Sequence, residues 1–379
     1  MLRCLVISGF EPSGHDSVAT SLIDATPTKV ESSLFMWRDV RPKLSRHPFF
    51  HVHRELVGQQ QILHPSVLGS PAIHDALADD LQSVLPLDGV GLILSTHPYS
   101  TAIARREVRR RFLHEVRIVD VHTDYSRFPV VDESDADLFC GRFPRRIRDL
   151  RARLHVTGIP VTVPPSEEGT GSGLLLHAGS GGWALEHALP HLRTVAEWCG
   201  EGPIGVCAEK SLAGRIELMT GRRVRIERPG QPYGSLFSRY RYVLTKASGP
   251  PVSYAHATGA IPILYRTGVA WEDEAAVELV AANLAAPAWF PPSLMEKVGP
   301  QDFCPDLPRE RTLARRAASA VWAAALDDAA VTPSGDVSDP PASLLELLGQ
   351  AAEDRGLPRA ASVVAAALRP GRAMRTPDA

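Results

Sequence analysis

Short, near-continuous apolar runs alternate with longer helical stretches along most of this chain, and that rhythm narrows the fold more than any other feature. In the first half the runs fall at residues 2–8, 90–95, 116–121, 137–140 and 154–157. Runs of this kind predict strands covered on both faces, as in a parallel sheet. Strands that alternate with helices predict an open, doubly wound α/β sheet. At residues 158–173 the rhythm breaks into Pro, Gly, Ser and Glu with no helical period, which predicts a linker. It restarts at residues 174–176, 204–207, 224–226, 242–244 and 261–264. The expectation is two Rossmann-like domains, residues 1–157 and 174–330, with a helical and partly mobile tail at 331–379.

The bulk properties fit that plan. A chain of 379 residues is too long for one ordinary core and suits two domains plus a tail. Its net charge of −2 points away from a nucleic-acid partner, which would call for a basic excess. The cysteines, Cys4, Cys140, Cys199, Cys207 and Cys304, are odd in number and form no C-x-x-C pair. That argues against a disulfide framework and a cysteine-rich zinc site, and for a reducing, cytoplasmic location. The apolar N-terminus gives way to Gly9 and polar residues too soon for a signal peptide, and reads as a buried first strand. No run approaches the roughly 18 apolar residues of a membrane helix.

Three segments carry candidate chemistry. The first strand runs into Ser8-Gly9-Phe10-Glu11-Pro12-Ser13-Gly14-His15, a small-residue turn before a helix. Such a turn brings backbone N–H groups near an anion, and the helix dipole favours negative charge there. Phe10 and Pro12 rule out the G-x-G-x-x-G dinucleotide fingerprint and disfavour a nicotinamide dehydrogenase. The functional reading places His15 at the cleft mouth as a base; the structural reading is a βα turn with a histidine on the helix. The second segment, Val121-His122-Thr123-Asp124-Tyr125, closes a strand, where an acidic side chain points into the ligand crevice of an open sheet. Asp124 orients a base or acceptor hydroxyl on that reading, and caps a helix on the alternative. The third is Tyr242 through Lys246 followed by Ala247-Ser248-Gly249-Pro250-Pro251 and a helix. Lys246, the small-residue loop and the helix N-terminus together suit a phosphate. Glu272, beyond Gly268, stands where a carboxylate could accept bonds from sugar hydroxyls; an acidic helix start is the simpler alternative.

Taken in order and spacing, these segments resemble glycosyltransferase family 28, the branch of monogalactosyldiacylglycerol synthases and diacylglycerol glucosyltransferases in particular. The resemblance covers roughly residues 1–290 and also includes Ser95-Thr96-His97-Pro98, Thr157-Gly158-Ile159-Pro160-Val161 and Gly259-Ala260-Ile261-Pro262-Ile263-Leu264. It implies a GT-B fold, with two Rossmann-like domains facing across a cleft and a C-terminal helical tail. It implies a UDP-sugar donor held by the second domain, a hydroxyl acceptor held by the first, inversion at the anomeric carbon, and neither metal nor cofactor. His15 then occupies the position of the base and Asp124 that of its acidic companion. Ser13, Gly14 and His97 fall in the acceptor and phosphate loops. Lys246, Ser248 and Gly249 face the donor diphosphate, and Glu272 the donor sugar. The chain departs from the family at Pro250 and Pro251, at Tyr254, where a ribose-binding Glu is usual, and at Phe128, Trp271 and Ala275.

Two arginine clusters, Arg105, Arg106, Arg109, Arg110 and Arg111, and Arg142, Arg145, Arg146, Arg148, Arg151 and Arg153, fall in the first half. They predict either docking on an anionic membrane, at about 1 kcal/mol per residue, or solvated helix faces. The run Phe49-Phe50-His51-Val52-His53 predicts either acceptor contact or core, and no carboxylate accompanies its two histidines as a metal site would require. The leading expectation is an inverting hexosyltransferase acting on a lipid or a secondary-metabolite or nucleoside antibiotic precursor. The alternatives are a GT-B binding module without turnover and a UDP-sugar 2-epimerase.

Overall fold

The computed structural model describes residues 1–9, 14–40, 85–125, 135–142, 154–164, 171–177, 184–206, 210–227, 232–268, 270–290 and 292–327. Ser13, the aromatic run at 49–53, Phe128, the arginines at 145–153 and the tail at 331–379 lie outside the described residues.

Two parallel six-stranded sheets form the frame. The first contains β1 (Leu2–Ile7), β2 (Val30–Phe35), β3 (Leu92–Ser95), β4 (Arg117–Val121), β5 (Leu138–Gly141) and β6 (Leu154–Val156), in the order β2-β1-β3-β4-β5-β6. Its helices are α1 (Gly14–Asp24), α2 (Trp37–Val40) and α3 (Pro98–Arg110). The second contains β7 (Leu174–His177), β8 (Ile204–Val206), β9 (Val224–Ile226), β10 (Tyr242–Lys246), β11 (Ile261–Tyr265) and β12 (Ala286–Pro287), in the order β12-β11-β10-β7-β8-β9. Helices α4 (Ala184–Trp198), α5 (Lys210–Thr220), α6 (Tyr233–Phe237), α7 (Gly249–Thr258), α8 (Ala270–Ala281), α9 (Pro292–Met295) and α10 (Leu307–Leu326) belong to this half. The doubly wound fold class is therefore as expected. Strand order reverses between β1 and β3 in the first sheet and between β7 and β10 in the second.

Strands β3, β7 and β11 are buried along their whole length, and β4 and β10 at all but one residue, which is why they read as apolar runs. β2 escaped the sequence reading because it is an edge strand with Glu31, Ser32 and Ser33 in its middle and burial only at its ends. One apolar cluster spans both halves, from Val6, Val18 and Leu22 through Ile159 to Leu244, Val252, Val321 and Trp322. Helix α10 returns to the first half: Trp322 Nε1 donates to the Leu22 carbonyl at 2.9 Å, and Glu310 pairs with Arg142 at 2.8 Å. Helix α7 is held there too, by a bond of 2.9 Å between the Tyr125 hydroxyl and Ser253 Oγ.

Candidate active site

Open α/β sheets bind ligands outside the carboxyl ends of the strands, where strand order reverses. This molecule has two such places. At the first, β3 runs into Thr96-His97 and α3 begins at Pro98. His97 is the N-cap, and its Nδ1 accepts the Tyr99 N–H at 3.2 Å. Helix α1 begins at Gly14 and puts His15 in its first turn. His15 Nδ1 lies 2.6 Å from the Thr96 carbonyl oxygen and 3.0 Å from Thr123 Oγ1. A carbonyl oxygen can only accept, so Nδ1 carries the proton and Nε2 the lone pair; this tautomer is assigned from the bonding pattern.

Desolvation holds the His15 pKa below its ordinary value, against the opposing pull of the Asp124 carboxylate, the Thr96 bond and Asp16. The imidazole is therefore neutral at neutral pH, in a residue that is largely buried. The Ser8 hydroxyl donates to Asp16 and ties the first turn of α1 to the end of β1. Thr96 Oγ1 lies 3.2 Å from both the Ile7 and the His15 carbonyls, which fixes the loop after β3 to the same strand and to the histidine. The His15 and His97 rings meet edge to face, with centroids 4.5 Å apart.

At the second reversal, β7 ends in His177 and β10 in Lys246. The His177 ring packs edge-on against Tyr233 at 5.1 Å and Phe237 at 5.2 Å. Burial, and then the positive charge of Lys246, push its pKa down to about 4. Lys246 Nζ donates to Glu272 Oε1, and Glu272 Oε2 accepts from Thr267 Oγ1 at 2.8 Å. Asp273 accepts the Thr267 N–H at 2.8 Å and so fixes the turn into α8. The structure thus brings together a cation and a carboxylate that the sequence analysis had proposed separately.

Two tandem doubly wound sheets tied by a returning helix match solved structures of one fold. MurG of Acinetobacter baumannii is similar over 86% of this chain and 99% of its own, at 12% identity and a TM-score of 0.54. The glycotransferase of kitacinnamycin is similar over 86% and 98%, at 12% identity and a TM-score of 0.52. The fold is GT-B. A UDP-GlcNAc 2-epimerase from Neisseria meningitidis, bound to UDP-GlcNAc, is similar over 97% and 99%, at 13% identity and a TM-score of 0.42. No protein-family model and no curated protein matches the sequence.

Gly14, His15, His97 and Asp124 lie at or near the first reversal of strand order, and Lys246, Ser248, Gly249 and Glu272 at or near the second. The two meet at the start of α7. A Cβ on Gly249 would stand 1.7 Å from the Thr123 carbonyl oxygen, and one on Gly14 would stand 2.6 Å from Pro250 Cγ. These glycines let the halves approach closely. Pro250 and Pro251 fall in the first turn of α7 and remove two N–H donors that a helix start otherwise offers an anion. Tyr254 is 5% exposed, and its hydroxyl lies 2.7 Å from Ser17 Oγ on α1.

Three residues were not singled out in the sequence: Thr96, whose carbonyl sets the His15 tautomer, Thr123, whose hydroxyl stands beside the same nitrogen, and His177. A signal for His177 existed: an apolar strand followed by Ala178-Gly179-Ser180-Gly181-Gly182, the pattern used at Ser8-Gly9. That loop lies outside the described residues. Among the described residues, no group of three or more His, Cys, Asp or Glu could hold a metal ion, and no helix is long and apolar enough to cross a membrane. Arg105 pairs with Asp137 at 2.7 Å, and Arg110 and Arg111 hold Glu107 at 2.7 and 3.3 Å.

Proposed function

We propose that this protein is an inverting glycosyltransferase that moves a hexose or N-acetylhexosamine from a UDP-sugar to a hydroxyl acceptor. The observation that carries the reading is the state of His15: neutral, protonated on Nδ1, and placed at a reversal point of a GT-B fold. Its Nε2 lone pair takes the acceptor hydroxyl proton as the oxygen bonds to the anomeric carbon. The bond from that carbon to the donor phosphate breaks, and its electron pair leaves with the diphosphate. Lys246 stabilises the departing charge, with Ser248 and Gly249 beside it; Glu272 contacts the sugar and orients Lys246. Asp124 stabilises the imidazolium that forms. The acceptor is a lipid or a secondary-metabolite or nucleoside antibiotic precursor. A lipid acceptor would be met at the inner face of a membrane, with α3 supplying the positive charge.

Tyr254 and the two prolines of α7 favour a second reading, a GT-B module that binds its ligand without turnover. Incubation with UDP-glucose, UDP-galactose and UDP-N-acetylglucosamine in the presence of hydroxyl acceptors separates the two. Release of UDP that falls by about 10²-fold in His15→Gln supports the transferase. UDP binding without release from any donor supports the module, and release unchanged in His15→Gln removes the base assignment.

A further inference from the structure

We propose that Tyr265 is a positioning residue for anion binding at Lys246: its hydroxyl is the partner to which Glu272 turns when a phosphate or diphosphate group takes the lysine. Lys246 and Tyr265 are register partners at the carboxyl ends of β10 and β11. Register partners on adjacent parallel strands lie on one face of the sheet, so these two side chains are neighbours. The turn after β11 leads into α8, which returns Glu272 to the same place. Its Oε1 accepts from Lys246 Nζ, and its Oε2 accepts from Thr267 Oγ1 at 2.8 Å. Tyr265 belongs to the apolar cluster that also holds Leu244, Ile263, Ala276 and Leu279. It is 1% exposed, and its hydroxyl makes no hydrogen bond to any described residue. Burial first, and then the charge of the Glu272 carboxylate, hold the Tyr265 pKa above its ordinary value.

A buried hydroxyl without a partner is costly, and phenylalanine would fill the same space without that cost. The hydroxyl is accounted for if its partner comes in a second state of the site. Lys246 cannot give its full charge to a phosphate while Glu272 neutralises it. An arriving phosphate therefore competes with Glu272 for the ammonium group. The Glu272 side chain is only 12% exposed, and a carboxylate so placed is unfavourable without a cation unless donors bond to it. Thr267 already gives one such bond, and the Tyr265 O–H gives a second. Tyr265 thus lowers the cost of separating Lys246 from Glu272 and raises the affinity of Lys246 for the anion. The phenol stays a neutral donor throughout. That the anion is the diphosphate of a nucleotide sugar rests on the proposed function, whereas the exchange of partners by Glu272 does not.

The exchange sets stability against affinity. Tyr265→Phe removes an unbonded buried hydroxyl from the resting protein, so it should raise the melting temperature. The same variant should weaken inorganic pyrophosphate and UDP about fivefold by calorimetry, which a packing role alone would not do. A ligand-free arm imitates the anion by deleting the cation. In Lys246→Met the carboxylate has already turned, so adding Tyr265→Phe should lower the melting temperature by about 2 °C instead of raising it. Lys246→Gln serves the same purpose where Lys246→Met does not fold. Wild-type affinity for both ligands in Tyr265→Phe, or a stability change of the same sign in both backgrounds, would overturn the proposal. If the wild-type protein binds neither pyrophosphate nor UDP, the proposed donor site fails, and the change of sign between backgrounds still decides the exchange.

Discussion

Each sheet carries a histidine where its strand order reverses, and the two are kept in different states. His15 is largely buried, with Asp124 and Asp16 opposing the desolvation that lowers its pKa. His177 is 4% exposed, ringed by Tyr233 and Phe237, with Lys246 adding to the desolvation. Both stand at a reversal of strand order, His15 in the first turn of α1 and His177 at the end of β7; the sign of the nearest charge differs. A carboxylate neighbour keeps His15 within range of a proton as charge develops, which suits a base. A cation neighbour keeps His177 neutral well into acid, which suits a packing role beside a site for negative charge. The fold supplies two reversals of strand order, and under the proposed function a few neighbouring side chains divide the chemistry between them.

The largest contrast should appear in turnover and pH. His15→Gln should lower the rate about 10²-fold or more while UDP binding is unchanged by calorimetry; loss of binding as well would mean that the two crevices do not divide the work. His177 should show itself in stability. Its folded pKa of about 4 lies below the unfolded value near 6.5, so between those values the unfolded chain binds the extra proton. Stability from this residue is complete above the unfolded value and is lost as pH falls toward 4, by about 3 kcal/mol. His177→Phe should flatten denaturant midpoints measured across that window, and an unchanged slope would place the titration elsewhere.

Lys246→Met should weaken UDP about tenfold and leave uridine unaffected, since only the diphosphate carries the charge. Equal losses for both ligands would indicate collapse around Glu272 rather than a missing cation. The smallest effect concerns Asp124, whose charge raises the His15 pKa against desolvation. Asp124→Asn should lower that pKa further and move the acid limb of the kcat/KM profile to lower pH, with a plateau a few-fold lower. A limb displaced upward would contradict the assigned sign.

How much of this was legible in the sequence depended on range. The central strands could be read because a parallel strand buried on both faces is written as an apolar run, whereas β2, exposed at the sheet edge, carries no such mark. His15, Asp124 and Lys246 could be read because each stands at or shortly after the carboxyl end of an apolar strand. Their partners could not. The Thr96 carbonyl that fixes the His15 tautomer and the Thr123 hydroxyl beside it lie 81 and 108 residues away, and the Ser17 partner of Tyr254 lies 237 away. Pro250 and Pro251 were visible from the start, and their cost in lost N–H donors follows from their chemistry; what needed the structure was the close approach of α7 to Gly14 and Thr123.

The most direct test of the account is calorimetry of the purified protein with UDP, GDP and dTDP. The account expects saturable binding with a preference for UDP, consistent with a working donor crevice around Lys246 despite Tyr254 and the two prolines. Absence of binding by all three nucleotides would contradict it, and would turn the search toward a different ligand for a GT-B frame.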